Sequence, residues 1–145
     1  MKDLLYLKDD QIKEFIEHIF YAYRETYSDP KKILKKHSFG TAHHRAIHLI
    51  ERNNGITISG LLKKLKITKQ SLNRVIRDLV KNKTIYIKKG DVDSRQRQVF
   101  LNEKGKRLFD EIFSEQKKRI YNALKNSDSD SVIKFKNVLH KIINE

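Results

Sequence analysis

The chain has 145 residues, enough for one domain with a modest core or for a domain completed by a second copy. Its 32 Lys/Arg against 18 Asp/Glu give a formal net charge of +14, which points to an anionic partner. It has no cysteine, so disulfides, thiolate metal sites and thiol redox chemistry are excluded; it also has no apolar run of membrane-span length and no signal-peptide core, so it reads as soluble and cytoplasmic.

In chain order, the spacing predicts a first helix from about Asp9 to Tyr27, with Ile12, Phe15, Ile16, Ile19, Phe20, Tyr23 and Tyr27 forming a wide apolar stripe. A second subunit or the domain core would account for that width equally well. Ser28-Asp29-Pro30 ends the helix, because the proline ring disfavours helical geometry at the residue before it. Lys31 to Ser38 is a basic connector with room for one helical turn.

A second helix spans Thr41 to Arg52 with Ala46, Ile47, Leu49 and Ile50 inward. Asn53-Asn54-Gly55 stops it, Gly55 suiting a left-handed position. A short β-like piece, Ile56 to Ile58, precedes a short helix, Ser59 to Leu65, that presents Leu61, Leu62 and Leu65. Lys66-Ile67-Thr68 then turns into a further helix ending at Asn82, with Thr68 as its cap. Leu72, Val75, Ile76, Leu79 and Val80 make the buried face of that helix, and Gln70, Arg74 and Arg77 lie opposite with Asn73 at the edge. Two short helices joined by such a turn are a helix-turn-helix.

After Asn82 the period changes from helical to alternating. Thr84 to Lys88 and Gln98 to Leu101 read as strands with Ile85, Ile87, Val99 and Leu101 on one face, joined by a polar tip from Lys89 to Arg97. A hairpin directly after a helix-turn-helix is a wing. Asn102 caps a long helix, Glu103 to about Asn126, striped by Leu108, Phe109, Ile112, Phe113, Ile120, Ala123 and Leu124. Ser127 to Ser131 supplies a break and a new cap, and the last helix carries Val132, Ile133, Phe135, Val138, Leu139, Ile142 and Ile143. The basic charge is concentrated: from Thr57 to Arg107, 15 Lys/Arg stand against 4 Asp/Glu.

These residues resemble the MarR-type winged-helix transcription regulators. The match is most specific in the wing, Asp93-Ser94-Arg95-Gln96-Arg97, followed by Leu101-Asn102-Glu103-Lys104-Gly105-Lys106-Arg107, where the family has D-x-R and then L-T-E-K-G-R. The second match is Leu65-Lys66-Ile67-Thr68-Lys69-Gln70-Ser71-Leu72-Asn73-Arg74. Two positions depart from the pattern. Lys66 replaces a turn glycine and must take a less favoured conformation, or the turn differs. Asn102 replaces a threonine cap, a harmless change.

The resemblance implies a mainly α fold with a small β-hairpin wing: a winged helix-turn-helix domain plus terminal helices forming a dimerisation layer. The expected division is 1–40 as dimerisation helix and connector, 41–101 as the DNA-binding lobe, and 102–145 as C-terminal dimerisation helices. It implies a homodimer on a palindromic operator in double-stranded DNA, with recognition helices in major grooves and wings in flanking minor grooves. By position, Arg95 would enter the minor groove and Asp93 would orient it, in keeping with the negative potential of narrow A·T-rich grooves. The candidate DNA-binding residues are Thr68, Lys69, Gln70, Ser71, Asn73, Arg74, Arg77, Asp93, Arg95 and Arg97.

The expected function is a sequence-specific, effector-responsive repressor, associated with the bacterial or archaeal nucleoid. The alternative is a basic architectural protein that uses the same fold mainly for phosphate contact. Family members bind small, frequently aromatic acids between the dimerisation layer and the winged lobe. Tyr23, Tyr27, Phe39, His43, His44 and Arg45 are the candidates for such a pocket, with a plain core and interface role as the alternative. His44 and His48 stand four residues apart, but two imidazoles are fewer than the three or four protein ligands usual for zinc, so no metal or cofactor is expected. No phosphate loop, nucleophile set or motif-placed carboxylate pair appears, so no enzyme is expected.

Overall fold

A computed structural model describes residues 4–143. In chain order the elements are a 3-10 turn (Leu5–Leu7), α1 (Asp9–Ser28), α2 (Lys31–Lys35), α3 (Thr41–Arg52), α4 (Ile58–Leu65), α5 (Lys69–Lys81), β1 (Ile85–Lys89), β2 (Arg97–Leu101), α6 (Glu103–Lys125) and α7 (Ser129–Ile143). The fold is mainly helical with one two-stranded antiparallel hairpin, as expected. The chain separates into two compact units. One is formed by the described residues through Ser28 together with those from Ser114, the other by Asp29–Phe113.

The Asp29–Phe113 unit holds the hydrophobic core. Leu34 of α2, Ala46, Ile47 and Ile50 of α3, and Leu61 of α4 meet Leu72, Val75, Ile76 and Leu79 of α5 there. Ile85, Val99 and Leu101 of the hairpin and Leu108, Phe109 and Ile112 of α6 close it. Each of these side chains other than Ala46 contributes roughly 1.5–3 kcal/mol when fully buried. Val80 does not join them: it is exposed. At 100° per residue it lies about 90° from the mean direction of the other four, beyond the reach of the core.

The β-like segment begins and ends earlier than its sequence suggests. Gly55 donates to the Val99 carbonyl, Val99 donates to that of Ile56, and Thr57 bridges to Gln98, so Gly55–Thr57 lies along β2. Ile58 instead opens α4, because the Thr57 hydroxyl accepts from the Gly60 N–H at 2.9 Å and starts the helix there. Gly55 has φ 85, where a side chain is strained, and a Cβ there would press on the Phe100 ring at 3.3 Å.

β1 and β2 pair with Ile85 opposite Leu101 and Ile87 opposite Val99, the predicted inward face. Lys89 and Arg97 form the last pair of the ladder and belong to the strands rather than to the tip. Thr84 falls outside β1; it is buried, and its hydroxyl bonds the Asn82 side chain. The start of α6 clamps this strand root. The Asn102 side-chain amide donates to the carbonyls of Lys83 (3.0 Å) and Ile85 (3.2 Å), so it ties helix to hairpin where a simple cap was expected. A Cβ on Gly105 would run into the Thr84 carbonyl oxygen, which accounts for glycine in the Glu103-Lys104-Gly105 stretch.

In the other unit, the Gln116 amide is buried and donates to the Thr26 carbonyl at 2.9 Å, joining α6 to α1. Asp128 accepts from the N–H and hydroxyl of Ser131 and caps α7; the hydroxyl and then the N–H hold its carboxyl below the usual range. Neither α1 nor α7 buries a residue. Ile16 of α1 is 61% exposed and Ile133 of α7 is 60% exposed, and among the described residues the buried core takes none from either helix.

Candidate nucleic-acid interface

The turn between α4 and α5 determines which way α5 presents its polar side. Lys66 closes α4 in the left-handed region, at φ 52 and ψ 44, the conformation expected where the family writes glycine. Thr68 then begins α5: its hydroxyl accepts from the Ser71 N–H at 3.1 Å and donates to the Ser71 hydroxyl at 2.9 Å. With Leu72, Val75, Ile76 and Leu79 buried, Lys69, Gln70, Ser71, Asn73, Arg74 and Arg77 are all exposed. Among the described residues, the side chains of Lys69, Gln70, Asn73, Arg74 and Arg77 make no hydrogen bond or ion pair. Their polar capacity is unspent.

The wing presents its arginine in a fixed pose. Asp93 Oδ1 accepts from the Arg95 backbone N–H at 3.0 Å and from its Nε at 3.2 Å. The Arg95 side chain is nevertheless 90% exposed. Its backbone N–H first, and its guanidinium second, hold the Asp93 carboxyl below the usual carboxylate range. The tip is closed by Gly90 donating to the Gln96 carbonyl and Gln96 donating to that of Asp93. Arg97 leaves the tip exposed at the start of β2. Tyr86 and Phe100 stack across the strands at 5.3 Å and stiffen the hairpin on its outer side.

The remaining candidates fall into different units, and each set has its own contacts. Tyr23 and Tyr27, in the unit of α1, have ring centroids 4.7 Å apart. Phe39, His43, His44 and Arg45 belong to the Asp29–Phe113 unit. Phe39 stacks on His43 at 4.8 Å, His44 is buried, and the Arg45 Nε is buried with no hydrogen-bond partner there. His48 lies edge-on to Phe109, and burial lowers its pKa from the usual value. No group of three or more His, Asp or Glu is placed to hold a metal among the described residues.

Sequence reasoning passed over Asp78. It is the only acid in α5, and His43 Nε2 approaches its Oδ2 at 2.9 Å. A lone carboxylate on a helix otherwise polar and basic was the available signal. Lys104 stands in the Glu103-Lys104-Gly105 match, but nothing in the sequence pairs its ammonium with the Asn82 carbonyl, to which it donates at 2.8 Å.

Fold and site together define a winged helix-turn-helix protein. A family model described as the MarR family matches residues 37–96. The chain is 41% identical over 140 residues to the HTH-type transcriptional regulator PetP of Rhodobacter capsulatus, covering 97% of this chain and 84% of that one. MepR from a multidrug-resistant Staphylococcus aureus clinical isolate shares the fold with a TM-score of 0.76 at 16% identity, over 89% of this chain and 94% of that one. A Staphylococcus aureus MarR solved in complex with salicylate and kanamycin gives 0.74 at 20% identity, over 92% and 91%. The chain belongs to the MarR family of DNA-binding transcription regulators. It is a regulator and not an enzyme. No helix of the described residues is long and apolar enough to cross a membrane.

Proposed function

We propose that the protein is a cytoplasmic repressor that binds a palindromic operator as a homodimer, reading bases with α5 and the flanking minor groove with Arg95. The observation that carries this reading is the row of exposed, unpartnered Gln70, Asn73, Arg74 and Arg77 on a helix whose other face is locked in the core. Arginine pairs bidentately with guanine, and Asn or Gln with adenine, so the row holds two kinds of base-reading chemistry. Lys69 and Ser71, beside Thr68 at the helix start, and Arg97 at the wing suit phosphate. Asp93 holds the Arg95 guanidinium in place while leaving it exposed. An architectural protein would need only lysine and arginine on this face.

Control by a small aromatic or acidic effector is part of the same proposal. The buried Arg45 Nε without a partner, near Phe39 and His43 in sequence, supports an anionic ligand, and a structural relative was solved with salicylate. Selecting bound duplexes from a random pool tests the whole. The expected product is a palindrome with half-sites about one helical turn apart, roughly 10 bp centre to centre. Its affinity for the protein should then change when salicylate is added as a probe. A pool that enriches no sequence puts the architectural reading ahead, and an affinity indifferent to salicylate removes this effector class.

A further inference from the structure

Apolar packing and the α4–α5 turn set which face of α5 is buried, and polar groups that reach its flank can add to the hold on its rotation. His43 is such a group. Its Nδ1 lies 3.0 Å from the Gly40 backbone N–H, which can only donate, so Nδ1 carries the lone pair. The proton is therefore on Nε2, which donates to Asp78 Oδ2 at 2.9 Å. Phe39 stacks on the ring at 4.8 Å, and the His43 side chain is only 15% exposed. Both ring nitrogens and a ring face are thus engaged, linking the start of α3 to α5.

Asp78 stands at a sensitive place. On a helix it shares a side with Arg74, four residues earlier, and Ser71, seven earlier. An acid four residues from an arginine is within its reach, yet among the described residues Arg74 has no ion pair. The carboxylate is turned to His43 instead.

We propose that His43 is a positioning residue for DNA recognition: through Asp78 it sets the rotation of α5 against α3 and keeps the carboxylate away from Arg74. This rests on the reading of α5 as the base-reading helix. Loss of the link leaves α5 in the core but blurs the placement of Gln70 and Arg74, so discrimination between sequences falls while general affinity for DNA does not.

Two pairs of variants isolate the bond. Asp78→Asn keeps an acceptor for Nε2 and Asp78→Ala does not, while both remove the same charge. His43→Gln can place an amide donor where Nε2 lies, whereas His43→Asn can keep only the acceptor facing Gly40. The measured quantity is the ratio of affinities for the selected operator and a random duplex, with melting temperature recorded beside it. The ratio should fall roughly three- to tenfold in Asp78→Ala and His43→Asn, the range of one net hydrogen bond. It should stay near wild type in Asp78→Asn and His43→Gln, even if His43→Gln melts lower for want of its bond to Gly40. Equal ratios within each pair overturn the proposal. Should Asp78→Ala fail to fold, the His43 pair decides. A wild-type ratio near one overturns base reading itself, a different signature from paired variants that match while the wild type discriminates.

Discussion

Lys66 carries a backbone cost that its neighbours impose. A non-glycine residue in the left-handed region costs about 1–2 kcal/mol, and the turn between α4 and α5 holds Lys66 there at φ 52. Glycine adopts that geometry freely but gives up more chain entropy on folding. Lys66→Gly should therefore raise stability by about 0.5–1 kcal/mol, read as a higher denaturant midpoint at unchanged slope. A lower midpoint would mean that the lysine side chain contributes more than the strain costs. This departure from the family pattern was legible in sequence, because the pattern names the position that needs glycine. The role of Asn102 was not, since the carbonyls it binds, those of Lys83 and Ile85, lie 17 or more residues away in the chain.

At the level of elements, the proposed function has α5 and the wing meeting DNA by different physics, so their variants should separate. Arg95→Ala removes a charge that responds to groove width, so binding should weaken most on operators with A·T-rich flanks. Arg74→Ala or Gln70→Ala should relax preference at particular base pairs, each worth roughly 1–3 kcal/mol of discrimination. Titration of each variant against the operator and its single-base mutants reads the contrast. A uniform loss on every sequence for all three would rule out direct readout by α5. The faces of these elements were visible in the 3.6 and 2.0 periods of the sequence. Their ends were less so: Ile58, Lys89 and Arg97 joined elements because of a cap or a ladder bond that periodicity does not carry.

For the whole molecule, the apolar stripes of α1 and α7 are where the proposed homodimer would form. Both helices bury no residue, and Phe20, Phe135 and Ile143 are at least half exposed. Exposed apolar surface on this scale marks an interaction site, and a second copy presents the same stripes, as a two-fold interface requires. Sedimentation at micromolar concentration should give a dimer, and a well-folded monomer there would remove the homodimer from the proposed function. The sequence had left subunit and domain core as equal explanations of the α1 stripe. Among the described residues the buried core draws on Asp29–Phe113 alone, which favours the subunit for that stripe.

The sequence by itself determined the helix-turn-helix, the wing and the outward row from Lys69 to Arg77, since each depends on local period, capping and turn chemistry. Tertiary structure alone decided which groups meet across long chain separations. His43 reaches Asp78 over 35 residues, Gln116 reaches Thr26 over 90, and the connector residue Leu34 packs with Ile112 of α6 in one core. The physical reason is that a hydrogen bond between distant residues leaves no periodic trace in the chain. Only the packed backbone brings donor and acceptor within 3 Å of each other.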